Sequence, residues 1–475
     1  MAKKFFELDP ERQGERVLLV GVGQKSGRGG SVENSLEELA HLAHTAGATV
    51  VEKVFQRRNR MDPATFVGKG KAVELKETSD ALNIDALIFD DDLTTTQGRN
   101  LEEITGRKVI DRSELILDIF AQHARTKEAN IEVELAQLYY RLPRLVGEGI
   151  ALSRLGGGIG TRGPGEQKLE VDRRRIRARI GHLKKELKEI EKSKAVQRKG
   201  RENLFRIALV GYTNSGKTTL MNRLTQAHLK VEEGFFSTLD STTRKLKFGI
   251  RPESPESSSG SGSEFRTPNS ALNHVGFRAG VNPSVVHTAL PIPDFQRVLI
   301  TDTVGFIRKL PHHLITSFHS TLQEAVEADL RLLLVDGSHP DAIGQMETAL
   351  KILGDLGCMG KPLLYVFNKI DRSDSSAIEK FLASHHPSCA ISSLHGEGIE
   401  GLLERVKKEM ESFFVEREIL IPPDKMWILS RIYQLGEVLE RGWFNGKVKV
   451  KVLLRKEHWS GVMKSLEVKK GLDKI

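Results

Sequence analysis

Cysteine is almost missing from this chain of 475 residues, which holds only Cys358 and Cys389. Two distant thiols exclude a disulfide framework and any cysteine-rich metal cage, and they fit ordinary packed side chains. No apolar stretch is long enough to span a bilayer. The start, Met1–Phe6, has neither a long apolar run nor an obvious cleavage signal, so a cytoplasmic protein is expected. Peripheral contact with a membrane is kept as a second placement. An excess of acid is also lacking. Lys and Arg number 72 against 63 Asp and Glu, a net charge of +9. That balance favours a polyanionic partner, although a modestly basic enzyme looks the same.

The basic charge is unevenly placed. Residues 165–201 carry 14 Lys/Arg against 6 Asp/Glu, and residues 416–475 carry 13 against 8. Strand-like and helix-like patterns alternate through 1–125, so an N-terminal α/β domain with a mainly parallel sheet is expected. Within it, Thr94 or Thr95 is positioned to cap one helix and Ser113 another. Residues 126–200 read as two long helices. Ile176, Ile180, Leu183, Leu187 and Ile190 form a heptad seam suited to an antiparallel pair. Between the helices, Leu155–Gly165 holds six glycines and a proline in eleven residues, so it is a loop. A second α/β rhythm fills 203–412, interrupted at 251–294 by a serine-, proline- and glycine-rich stretch that reads as a disordered insertion. A small α+β unit, 416–475, closes the chain, and its Lys447–Val452 segment alternates basic with apolar residues.

Within 203–412 a short apolar strand runs into Gly211, Tyr212, Thr213, Asn214, Ser215, Gly216, Lys217 and Thr218, and a helix follows. This is the G-x-x-x-x-G-K-[ST] phosphate loop in its proper context. Its glycines let backbone N–H groups converge on phosphates, and the helix dipole favours their charge. Lys217 is placed for the β and γ phosphates, and Thr218 for Mg²⁺. A second strand ends in Asp302, Thr303, Val304 and Gly305, where the acid suits the magnesium shell and the glycine the γ-phosphate. A third ends in Asn368, Lys369, Ile370 and Asp371. The Asp371 carboxylate matches the N1–H and 2-amino donors of guanine, a pair that adenine lacks. Ser392, Ser393 and Leu394 follow in the order expected of a backbone contact to the base. A segment between the first two motifs should offer a Thr to Mg²⁺ when the γ-phosphate is present, and Thr238, Thr242 and Thr243 are all candidates. The ordered motifs imply a magnesium-dependent guanine-nucleotide site and GTP hydrolysis.

With those residues in hand, the chain resembles the HflX family of translational GTPases over nearly its whole length. The most specific match is Gly156–Glu166 with Leu169–Arg174. Phe236, Ser237, Thr238, Leu239 and Asp240, and then Asp302–Phe306, also resemble that family. The resemblance implies a Ras-like mixed sheet flanked by helices, with Thr218 and Thr238 as the Mg²⁺ ligands. It also implies Phe236–Asp240 as the first switch, and Lys217, Thr238 and Gly305 as supports of the γ-phosphate. No residue is assigned as catalytic. Phe306 stands where many GTPases place a water-orienting Gln, so slow intrinsic hydrolysis is expected, and His312 and His313 lie just beyond. Ser393 stands where Ala is usual. As partners, the resemblance implies GTP/GDP and the large ribosomal subunit, with splitting of stalled or idle ribosomes by a monomer. The basic hairpin suits rRNA phosphates, and the scarcity of aromatics argues for shape and backbone recognition. A nucleotide-tuned interaction protein that regulates a protease or membrane complex is the rival reading. Two weaker signals remain: a phosphate grip or plain turn at Val67–Lys71, and Asp90–Asp92, which invites a metal reading but fits better as solvated acids capping the next helix.

Overall fold

The computed structural model describes residues 14–23, 30–153, 164–199, 204–225, 242–246, 298–309, 319–358 and 360–467. Residues 155–163 of the Gly-rich loop, the first switch with Thr238, the 251–294 stretch, and His312 and His313 lie outside them, while the expected loop's last two residues, Pro164 and Gly165, already belong to a helix.

The first sheet is parallel throughout. Its strands β1 (Arg16–Gly23), β2 (Thr49–Arg57), β3 (Ala86–Phe89) and β4 (Lys108–Asp111) lie in the order β2-β1-β3-β4. Val17–Val20 and Ala86–Phe89 are fully buried because helices cover both faces. The helices are α1 (Gly30–Thr45), α2 (Lys69–Ala81), α3 (Thr95–Thr105) and α4 (Arg112–His123). Thr94, not Thr95, caps α3, and its side chain and that of Gln97 form a reciprocal capping box. Ser113 does not cap α4. The strand β4 passes into α4 without a loop, so Asp111 ends the one and caps the other, accepting from the Glu114 N–H at 2.9 Å.

The long helices are α5 (Lys127–Ser153) and α6 (Pro164–Lys199). Ile131 and Leu135 of α5 meet Ile180 and Leu183 at the expected seam, with Ile176, Leu187 and Ile190 packed alongside. Arg179 grips Glu134 through two hydrogen bonds of 2.6 and 2.8 Å, a pairing that fixes the antiparallel register.

The second sheet has six strands in the order β10-β9-β8-β5-β7-β6. These are β5 (Phe205–Gly211), β6 (Thr242–Lys245), β7 (Val298–Asp302), β8 (Leu330–Asp336), β9 (Leu363–Asn368) and β10 (Ser388–Ala390). Only β6 runs antiparallel, which makes the sheet mixed. Helices α7 (Lys217–Thr225), α8 (His319–Glu327), α9 (Ala342–Asp355), α10 (Ser375–Ser384) and α11 (Ile399–Glu411) accompany it. The strand order puts the ends of β5, β7 and β9 on one edge, where ligands bind in such sheets.

A terminal sheet orders β11 (Phe414–Ile421), β13 (Lys447–Arg455) and β12 (Gly436–Phe444), all antiparallel, with α12 (Trp427–Leu435) and α13 (Lys456–Glu467). Val448, Val450 and Val452 turn inward onto Ile428 and Ile432. Its lysines turn outward, yet that face is not uniformly basic: Lys449 pairs with Glu418 at 2.9 Å and Lys451 with Glu416 at 2.7 Å. The buried Arg455 guanidinium ties this unit to the second sheet. It reaches Asp329 at 2.5 Å, and the same carboxylate accepts from the Arg206 N–H at 2.9 Å.

Midway along α5, Tyr140 donates to Glu114 at 3.3 Å, and the Arg144 guanidinium sits 3.4 Å over the Tyr140 ring. Burial, then the neighbouring Asp111, pushes the Glu114 carboxyl up from 4.5 to about 7. A raised folded value means stability that is present below the unfolded pKa and lost as pH rises through about 7. Glu114→Gln should therefore gain on the parent between pH 5 and 8. The ceiling is about 3 kcal/mol at 1.36 kcal/mol per unit, reduced by water access. Denaturant titrations at both pH values check this, and a difference independent of pH contradicts it.

Candidate guanine-nucleotide site

The phosphate loop is built where β5 turns into α7. Gly211 and Gly216 hold positive φ of 148° and 92°. Added Cβ atoms there would sit 2.3 Å from the Leu334 carbonyl and 2.2 Å from the Asn368 amide. No larger residue fits either position. The buried Lys217 ammonium donates to the Tyr212 carbonyl at 2.8 Å, and burial lowers its pKa to about 8, with Asp302 working the other way. Thr218 Oγ1 donates to Asp302 Oδ2 at 2.7 Å, so the first two motifs meet as expected. The buried hydroxyls of Thr213 and Ser215 find no hydrogen-bond partner among the described residues. Unsatisfied buried oxygens at a phosphate loop are what a ligand's own polar groups would complete.

The third motif and the Ser392–Leu394 segment close around the same loop. Asn368 donates to the Ser215 carbonyl at 2.7 Å and accepts from the Ser393 N–H at 2.9 Å. One amide thus ties the phosphate loop to the last motif. Asp371 accepts from the Ser392 hydroxyl at 2.6 Å, and that bond first of all lowers its pKa, which keeps it an acceptor. The Lys369 ammonium pairs with Asp336 at the end of β8, at 2.7 Å. Leu394 is exposed, and its carbonyl accepts from Arg223. Of the switch threonines, Thr242 and Thr243 lie in β6, and the Thr243 hydroxyl is engaged by Thr301 at 2.9 Å.

Phe306 is buried, and its backbone exchanges two hydrogen bonds with the phosphate loop. Its N–H donates to the Gly211 carbonyl at 3.0 Å, and its carbonyl accepts from the Thr213 N–H at 2.8 Å. Gly305 is pinned in this joint, since a Cβ there would meet Thr213 Cα at 2.8 Å.

Sequence reasoning missed what lies behind that joint. Glu38 of α1 is buried and accepts from three groups. These are the Tyr212 hydroxyl at 2.6 Å, the Arg308 N–H at 3.1 Å and the Arg112 guanidinium at 2.6 Å. Arg112 also pairs with Asp90 at 2.6 Å, and Asp90 accepts from Lys309 at 2.6 Å and Ser35 at 2.7 Å. Asp90 is therefore not a solvated capping acid. It is 1% exposed, because three donors from α1, α4 and the Asp302 loop surround it. One apolar cluster continues from Leu39, Leu42 and Phe120 to Phe306, Ile307 and Met346 across the same boundary. At Val67–Lys71, Gly68 precedes α2 with positive φ and no side-chain cap, while Arg58 lies against it. Partial signals existed for three of the missed residues: Asp336 ends an apolar strand, and Arg308 and Lys309 lie just beyond the second motif.

Four family models match in sequence order: "GTP-binding GTPase N-terminal" at 33–121, "GTP-binding GTPase Middle Region" at 123–201, "50S ribosome-binding GTPase" at 206–369 and "HflX C-terminal domain" at 377–472. "GTPase HflX" of Lacrimispora saccharolytica is 42% identical over 428 residues, 90% of each chain. "GTPase HflX" of Caldanaerobacter subterraneus subsp. tengcongensis is 40% identical over 93% of this chain and 91% of its own. A GTP-binding protein from Sulfolobus solfataricus, solved with GDP, aligns at TM-score 0.40 with 23% identity, over 84% of this chain and 99% of its own.

Asp371→Asn should weaken GDP binding about a hundredfold, because the carboxylate's two acceptors become one acceptor and one donor. The same change should favour xanthine nucleotides, whose 2-oxo group accepts. Competition titrations with both diphosphates check this, and an unchanged preference for guanine contradicts it.

Proposed function

The chain belongs to the HflX family of GTPases, and from that premise we propose that it binds the large ribosomal subunit in its GTP state and splits stalled or idle ribosomes. It is a guanine-nucleotide-binding enzyme that hydrolyses GTP. We assign 203–412 as the engine, 1–125 and 126–200 as the arms it moves, and 416–475 as a docking unit. The cytoplasm is the proposed compartment and a monomer the proposed state. Among the described residues no helix is long and apolar enough to cross a membrane.

The proposed nucleotide contacts are Gly211–Thr218, Asp302–Gly305, Asn368–Asp371 and Ser392–Leu394, with Phe236–Asp240 completing the site. Mg²⁺ suits the oxygen donors present. Thr218 Oγ1 already lies 2.7 Å from an Asp302 carboxylate oxygen, a hard-oxygen pair of the kind this ion prefers. With Thr238 as a further ligand, the ion would neutralise phosphate charge. Lys217 holds phosphate, Asn368 fixes the loops, and Asp371 selects the base.

One observation carries the reading: the buried Glu38 carboxylate of the N-terminal sheet receives donors from both the phosphate loop and the Asp302 loop. A shift of the Asp302 loop on γ-phosphate binding is therefore felt at α1 and α4, and through α4 at the root of the long helices. Phe306 offers no group to orient water, and its ring is committed to packing. Turnover alone is accordingly slow, and acceleration needs a partner that reorders the switches.

GTP turnover measured with and without large ribosomal subunits tests this. The expected result is a rise of more than about tenfold, with binding that weakens steeply as salt increases. Equal rates would contradict the proposal and favour the nucleotide-tuned interaction protein.

A further inference from the structure

Exposed rings are concentrated in one place. Among the described residues every exposed Phe, Tyr or Trp lies in the terminal unit: Trp427, Tyr433, Trp443 and Phe444. Trp443 and Phe444 end β12 and form the last two pairs of its ladder, opposite Val448 and Lys447. They are 70% and 54% exposed. The turn beyond them is Asn445-Gly446, with φ of 47° and 74°, the left-handed pair of a tight two-residue hairpin. Successive strand residues face opposite sides, so this tip carries one ring on each face.

Those rings do not hold the fold. The hairpin is anchored by Val448, Val450 and Val452 on α12. Exposing this much aromatic surface costs solubility without stabilising the unit, which points to an external partner. The charge around the tip says what kind. From Arg441 to Lys449 there are three cations and no acid. Lys449 is paired with Glu418, whereas Arg441 and Lys447 are exposed with no ion pair among the described residues.

We propose that this hairpin tip is an RNA-contacting arm, with Trp443 and Phe444 stacking on unpaired bases and Arg441 and Lys447 meeting the flanking phosphates. Rings with adjacent cations suit single-stranded segments, whose bases are free to stack. Base stacking then adds to the backbone recognition expected from the chain's few aromatics. The proposal rests on the large-subunit reading for its biological target, but its chemistry is testable without ribosomes.

The test uses the full chain with a non-hydrolysable GTP analogue and two probes: salt-washed large subunits and a single-stranded RNA of about ten uridines. Tryptophan fluorescence of the parent should be quenched by the oligonucleotide, and a duplex of equal length should compete poorly. Trp443→Ala should abolish the quench and weaken both probes about ten- to a hundredfold, while Trp443→Phe should restore most of the affinity. Arg441→Ala with Lys447→Ala should lower the salt slope by about 1 to 2. Melting temperature and basal GTP turnover should not change. Parent-like binding of both probes by Trp443→Ala would overturn the proposal. So would lost subunit binding with oligonucleotide binding intact, which assigns the tip to a ribosomal protein. An oligonucleotide quench in a parent that fails to bind subunits would uphold the arm and sink the ribosome reading instead.

Discussion

The architecture turns on one buried carboxylate. Glu38 lies at the meeting point of two sheets and accepts from the Tyr212 phenol, the Arg308 N–H and the Arg112 guanidinium. A buried charge is tolerated only when its partners are complete, and removing one partner of such a pair costs on the order of 3 to 5 kcal/mol. The three donors come from the phosphate loop, the loop after Asp302, and α4. They cannot separate independently without leaving Glu38 short of a partner. The backbone exchange between Phe306 and the phosphate loop makes the two nucleotide-facing donors one body. A ligand-driven motion of the Asp302 loop would thereby force a choice at the N-terminal sheet: follow, or lose the contact.

This explains why a ring occupies the position after Gly305. A side chain pointing at the phosphates from there would leave the apolar cluster that joins the two sheets. Phe306 serves the joint instead of the water. That use of the position is what the proposed partner-controlled turnover would require. At the opposite end, Arg455 and Asp329 make a similar buried tie, so the terminal unit is carried by the same sheet that holds the nucleotide motifs.

The nucleotide motifs were legible in the sequence because each is a local strand–loop–helix or strand–loop pattern with its chemistry inside a few residues. The hairpin seam was legible for the same reason: Ile176 to Ile190 encode their own periodicity. The mixed character of the second sheet followed from the resemblance to the family, but its strand order and the place of the antiparallel β6 did not. The Glu38 joint was not legible, because Arg308 lies 270 residues beyond Glu38 and only the fold brings them together. Asp90 was misjudged as solvated for that reason, since its Lys309 partner is equally remote. Ser113 failed as a cap because β4 and α4 share a residue, which a propensity argument does not foresee. The exposed rings of the terminal unit were hidden by the low overall aromatic content, which records number and not location.

Whether nucleotide state is read at Glu38 is tested most directly by a double-mutant cycle. Affinities for GDP and a non-hydrolysable GTP analogue would be measured in the parent, Glu38→Gln, Tyr212→Phe and the double variant. Each single change should shift the ratio of the two affinities, and the double change should add little further, because both remove the same link. Additive effects, or a ratio unchanged in all four proteins, would contradict it.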